Sequence, residues 1–194
     1  MQIDLFNPDF YIDCKDLRAA SNIYGICREN KIRKNFVYAI AYRKSAFVFW
    51  FLKVGMSYPT LSKKRKGQVG ERLVRQIAWF PGWSKTPKTA HGNDLWVNVD
   101  ASIKNGTLPN IDRNDLVIGV WDISKRTRGN QHIKSILKLN KWGNDAPTKW
   151  AEGELSRQHA ELYSWRPTFN EINPANNKVC KGYMDPESYE KNFA

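Results

Sequence analysis

The chain has 194 residues, the size of one globular domain or of one domain with a small appendage, which excludes a large multidomain machine. Its 31 Lys+Arg against 19 Asp+Glu leave a formal charge of +12, while 41% of the residues are apolar, too many for a disordered basic tail. The longest apolar run, Ala46 to Leu52, is far shorter than the roughly 20 residues that cross a bilayer, and no charged-then-apolar leader opens the sequence, so a soluble cytoplasmic protein with no membrane partner is expected.

Residues 1–34 read as an N-terminal helical extension, with a helix over Asp16–Asn30 because Leu17, Ala20, Ile23, Tyr24 and Cys27 recur at spacings of three and four. Two β-rich runs follow, Phe36–Tyr42 and Phe47–Gly55, and the short link through Arg43-Lys44-Ser45 predicts an antiparallel hairpin. Met56 to Gly70 is a turn-rich basic stretch holding Pro59 and Lys63-Lys64-Arg65-Lys66. Helical spacing returns over Glu71–Phe80 through Leu73, Ile77 and Phe80. A loop rich in Gly, Pro and Trp, Pro81 to Asn93, then leads to a strand at Leu95–Val99, and Asp115–Ile123 alternates as a further strand. Ile133–Asn140 reads as a short helix and Thr148–Ser164 as a longer one, stopped ahead of Pro167. The expected architecture is α/β of the α+β type: a single domain with a small, mainly antiparallel sheet flanked by helices, a core over 35–173 and a tail over 174–194.

Charge is concentrated. From Lys53 to Arg75 seven Lys/Arg accompany one acid, Glu71, so half of the net charge lies in 23 residues. Such a block attracts a polyanion, because each neutralised phosphate releases counterions; the plain alternative is a solvated basic loop with no partner. Cys14, Cys27 and Cys180 form no CxxC pair, and His91, His132 and His159 lack metal-helix spacing, so neither a disulfide framework nor a zinc site is expected. A catalytic metal would then be a hard ion on carboxylate oxygen, such as magnesium.

Two short motifs mislead. Pro8-Asp9 followed by Asp13-Cys14-Lys15 spells the metal-binding residues of the PD-(D/E)XK nucleases, but three intervening residues leave no room for the turn that places the two carboxylates on successive strands. Ile23-Tyr24-Gly25-Ile26 falls on the N-terminal helix, where Tyr24 packs.

A stronger pattern runs through four separated places: Phe36-Val37-Tyr38-Ala39-Ile40, Lys53-Val54-Gly55, Arg72 in Glu71-Arg72-Leu73-Val74-Arg75-Gln76, and Glu154 ahead of Trp165-Arg166-Pro167-Thr168-Phe169-Asn170. In this order the chain resembles the GIY-YIG nuclease superfamily over roughly residues 35–173. There a tyrosine on the first strand and a second tyrosine, sometimes a lysine, on the next strand precede an arginine on a helix and a glutamate on a later helix. Three departures stand out: Phe36 replaces the first glycine, Lys53 the second tyrosine, and Gln76 stands where many members have a histidine. The long insert between Gly55 and Arg72 looks most like the restriction-enzyme branch.

The resemblance implies a site of Tyr38, Lys53, Arg72, Glu154 and Asn170, with Mg2+ or another divalent cation such as Mn2+ on Glu154. Elementary chemistry supplies roles. A phenol near pKa 10 is a poor base unless a cation lowers it, which Lys53 would do; Tyr38 would take or share a proton from the attacking water. Arg72 offers a planar fork for two phosphate oxygens, the metal would stabilise the leaving oxygen, and Asn170 would orient the site. Lys63, Lys64, Arg65, Lys66, Arg75 and Gln76 would contact DNA. Each has a bland alternative: Tyr38 as a strand aromatic, Lys53 as a snorkelling cation, Arg72 as a partner of Glu71. Glu152 rivals Glu154, which is preferred for its thirteen-residue distance to Pro167. Gln158 and Glu161 extend the helix face from Glu154.

The expected function is divalent-metal-dependent cleavage of double-stranded DNA, in the manner of a type II restriction endonuclease. A palindromic target would be matched by a homodimer. The alternatives are a phage- or repair-type nuclease of loose specificity and a non-catalytic basic nucleic-acid-binding protein. Trp79 and Trp83 are further candidates for DNA or subunit contact.

Overall fold

A computed structural model of the chain describes residues 3–32, 35–43, 49–57, 61–62, 65–66, 68–78, 96, 99–101, 103–106, 108–127 and 146–163. Strand β1 (Phe10–Asp13) comes first, then helix α1 (Asn22–Glu29), and β2 (Phe36–Arg43) and β3 (Phe49–Ser57) form the expected antiparallel pair. The short strands β4 (Leu61–Ser62) and β5 (Arg65–Lys66) pair with each other as a separate ribbon. Helix α2 (Glu71–Ala78), strand β6 (Leu116–Asp122), the single turn α3 (Ile123–Arg126) and helix α4 (Ala146–Tyr163) complete the order. The main sheet runs β1-β6-β2-β3 with every pair antiparallel, giving the α+β class.

Strand β2 lies inside the sheet because it is apolar on both sides: Phe36 through Ala41 are all buried. Alternation sends Phe36, Tyr38 and Ile40 to one face and Val37, Ala39 and Ala41 to the other. The first face is closed by Ile23 and Cys27 of α1, by Leu73, Val74 and Ile77 of α2, and by Trp96 and Val99. Ile3, Leu5, Trp121 and, from α4, Ala151 and Leu155 close the second. The amphipathic spacing of α2 and the Thr148, Ala151, Glu152, Leu155 stripe of α4 are what hold these helices on the sheet.

Register fixes which residues share a face. Tyr38 stands opposite Gly55, Ile40 opposite Lys53 and Phe36 opposite Ser57. One extra residue, Leu52, bulges between the pairs Ile40/Lys53 and Ala41/Phe51.

Two segments differ from the sequence reading. The N-terminal segment supplies strand β1, paired to β6, and its helix is confined to Asn22–Glu29. Residues 96, 99–101 and 103–104 are helical rather than extended: Trp96, Val99 and Ile103, spaced three and four apart, all turn to the core, a period too long to read in the five residues Leu95–Val99. Helix α1 ends with Lys31 in the left-handed region (φ 57°), its N–H donating to Arg28 O and the N–H of Ile32 to Cys27 O. A residue with a Cβ costs roughly 1–2 kcal/mol in that conformation, which glycine takes freely. The expected helix at Ile133–Asn140 and the stop at Pro167 lie outside the described residues.

Candidate active site

Tyr38 and Lys53 lie on the same face of the sheet, on paired strands, one residue pair apart. Such diagonal neighbours sit roughly 7–8 Å apart, within reach of long side chains. Both are buried, Tyr38 to 0% exposure and Lys53 to 5%. The phenol ring crosses directly over Gly55: a Cβ there would stand 2.6 Å from Tyr38 Cζ and Oη. Because β3 is the outer strand of the described sheet, the ring runs outward from β2, and its hydroxyl is aimed at the β3 edge. Glycine at position 55 is therefore what lets this tyrosine reach that edge. Ser57, next on the same face, is fully buried, and its hydroxyl has no hydrogen-bond partner among the described residues.

Arg72 occupies the second position of α2. Leu73, Val74 and Ile77 turn that helix onto β3, which leaves Arg72 on its exposed side. Arg75, its rival for a phosphate, pairs with Glu71 one turn earlier and is exposed. Gln76, expected at DNA, is instead buried at 3%, and its backbone carbonyl accepts from Trp96 Nε1 at 2.6 Å. Arg65 and Lys66 form β5; Lys63, Lys64, Asn170, Trp79 and Trp83 lie outside the described residues.

Glu154 is on α4, whose Ala151 and Leu155 pack against the Val37 face, opposite to the face of Tyr38. The sheet therefore separates the phenol from this carboxylate, and the two share no face. Both α2 and α4 pack against β3. The Glu154 oxygens are taken: Oε2 accepts from Arg157 Nε at 2.9 Å, and Oε1 from Arg157 Nη2 at 2.6 Å and Gln158 Nε2 at 2.8 Å. Burial works against its charge, but Arg157 and Gln158 outweigh it and hold the carboxyl below its usual range. Gln158 in turn accepts from Leu5 N and donates to Ile3 O, clamping the N-terminal segment onto α4. Glu154 thus orients a clamp. Its arrangement does not fit a magnesium ion, which would have to displace a guanidinium, itself a cation, from the same oxygens.

Glu152, the rival carboxylate, is buried at 3% on the sheet-facing stripe of α4. The signal for it was present: with Thr148, Ala151 and Leu155 it completes an i, i+3, i+4, i+7 row, whereas Glu154 falls beside that row.

Several other acids have structural partners. Asp9 Oδ2 accepts from Asp122 N at 2.7 Å and Arg126 Nε at 3.1 Å, and Asp13 pairs with Arg43 and Lys15. Asp122, raised above the usual carboxylate range first by burial and also by the Asp9 charge, caps α3 through Lys125 N. Among the described residues no group of three or more His, Cys, Asp and Glu could hold a metal ion, and no helix is long and apolar enough to cross a membrane. Tyr24 of the second misleading motif packs at the edge of the core. No family model, no curated protein and no solved structure matches this chain.

Proposed function

We propose that the chain is an endonuclease that hydrolyses phosphodiester bonds of double-stranded DNA, with its reaction centre at the β3 edge. What supports the reading most is the Tyr38–Gly55 contact: a phenol carried over a glycine to the edge of the sheet, with Lys53 diagonal to it on the same face. An ammonium at Lys53 would favour the phenolate, against the burial that disfavours it, and so make Tyr38 a usable base or proton-sharing partner once the site opens to the attacking water. Arg72, on the helix laid against that strand, clamps the phosphate and neutralises its growing charge.

The phenol is fully buried, so the reading requires that α2 part from β3 as DNA arrives. No step runs through Glu154 or a metal on it, because Arg157 already holds that carboxylate. The long basic insert favours site-specific cutting of the restriction type by a homodimer, whose two-fold axis would match a palindromic site.

A second reading is supported by the burial of Tyr38 and Lys53 together: a non-catalytic DNA-binding protein in which both are scaffold. Incubating the protein with supercoiled plasmid, once with magnesium and once with EDTA, separates the two. Discrete fragments fit the restriction-type enzyme, and nicked circles or a smear fit a nuclease of loose specificity. A shifted band with intact plasmid in both incubations overturns the enzyme in favour of the binder.

A further inference from the structure

A cavity of about 520 Å³ lies between α1 and the residues that enter α2, outside the proposed reaction centre. It is lined by Tyr24, Cys27, Arg28, Lys31, Gln68 and Val69 among others. Among the described residues its lining carries two cations and no acid. A second groove, about 710 Å³, shares Tyr24, Arg28 and Gln68 and continues along α1 to Arg18, with Asp16 near the Arg18 end and Glu29 near the Arg28 end. The net positive lining is that of the 520 Å³ cavity itself, at Arg28 and Lys31.

Two further observations bear on its occupant. Gln68 follows Lys66 of β5 by two residues, so the basic ribbon opens within roughly 7 Å of the cavity. Lys31 occupies the left-handed position that glycine fills without strain, yet it is a lysine, and it lines the cavity wall. A side chain carried on backbone in that conformation points to a use for it.

We infer that the cavity at Arg28 and Lys31 is a phosphate-backbone site for a nucleic-acid duplex, extending the track of the β4–β5 ribbon onto α1. The guanidinium and the ammonium each neutralise one phosphate, Gln68 donates to a phosphate or sugar oxygen, and Tyr24 offers its ring to the sugar. The site positions the duplex and carries no sequence information of its own. This rests on the DNA reading above and adds a second contact region to it.

The test uses the full chain and a short fluorescein-labelled duplex, with binding read by anisotropy over a salt series and cutting by plasmid cleavage. Arg28→Glu with Lys31→Glu should weaken binding about tenfold or more for any sequence and lower the slope of log affinity against log salt by about two. Lys31→Gly should weaken binding while raising the denaturant midpoint, since the backbone strain is relieved; that pairing separates lost contact from lost fold. Unchanged affinity and slope in both variants, with plasmid still cut, overturns the groove and leaves the nuclease reading standing. If the unmodified protein binds no duplex at all, both fall together.

Discussion

On the face of the sheet that bears Phe36, Tyr38 and Ile40, strand β3 contributes Lys53, Gly55 and Ser57; on the opposite face it contributes Val54 and Met56 against Val37, Ala39 and Ala41. One face of this strand pair thus sets an ammonium, a phenol and a hydroxyl among Phe36, Ile40 and Leu52, while the face toward α4 carries apolar groups, most of them small. Burying polar groups costs several kcal/mol unless each is compensated, so the polar face is a poor choice for cohesion alone. The apolar face needs no such compensation, and its small side chains let Ala151 and Leu155 come close. Both faces carry core, and under the proposed function the chemistry belongs to the α2 side.

Leu155→Ala attacks the apolar face and should have the largest effect on stability, about 2–5 kcal/mol by denaturant unfolding, as expected for a fully buried leucine. Cutting per folded molecule should stay unchanged; a loss there would put chemistry on the wrong side of the sheet. Gly55→Ala attacks the polar face. Its Cβ would collide with the buried Tyr38 ring, so stability should fall by about 1–3 kcal/mol, and plasmid cleavage should be lost as the phenol is driven from the edge. Retained cutting would detach Gly55 from the site.

Glu154→Gln gives the smallest change. The folded-state carboxyl titrates below its ordinary value, so its contribution is full above about pH 4.3 and disappears as pH falls through the lower folded value. The unmodified protein should therefore lose stability more steeply than the variant below about pH 4, and both should cut plasmid alike near neutrality. Abolished cutting in the variant would return Glu154 to the reaction centre.

Most of the sheet was legible because β2, β3 and β6 carry long runs of apolar residues, and α2 and α4 keep a clear helical period. Strand β1 was hidden: in Phe10-Tyr11-Ile12-Asp13 only Ile12 is buried, and Tyr11 is 54% exposed, so four residues hold too little alternation to outweigh the helical spacing that follows. The strand expected at Leu95–Val99 fails for the converse reason, a short alternation drawn from a helical row.

Site residues divide the same way. Tyr38 and Lys53 were placed together by strand pairing, which a hairpin makes local. The face taken by α4 depends on packing across a whole sheet and cannot be read from a distance to Pro167, so Glu154 was expected beside Tyr38 and lies across the sheet from it. Gln76 shows the limit of charge-based reading, since a polar residue between Leu73 and Ile77 is carried into the core by its neighbours.

The central claim is that the Tyr38 hydroxyl does chemistry at the β3 edge. Tyr38→Phe keeps the ring over Gly55 and removes only that oxygen, so the variant should fold and bind duplex as the unmodified protein does. Measured as the rate of supercoiled-plasmid cleavage at equal folded concentration, its activity should fall by about 10²–10⁴. A variant that cuts at the unmodified rate contradicts the claim and makes the buried phenol a packing residue.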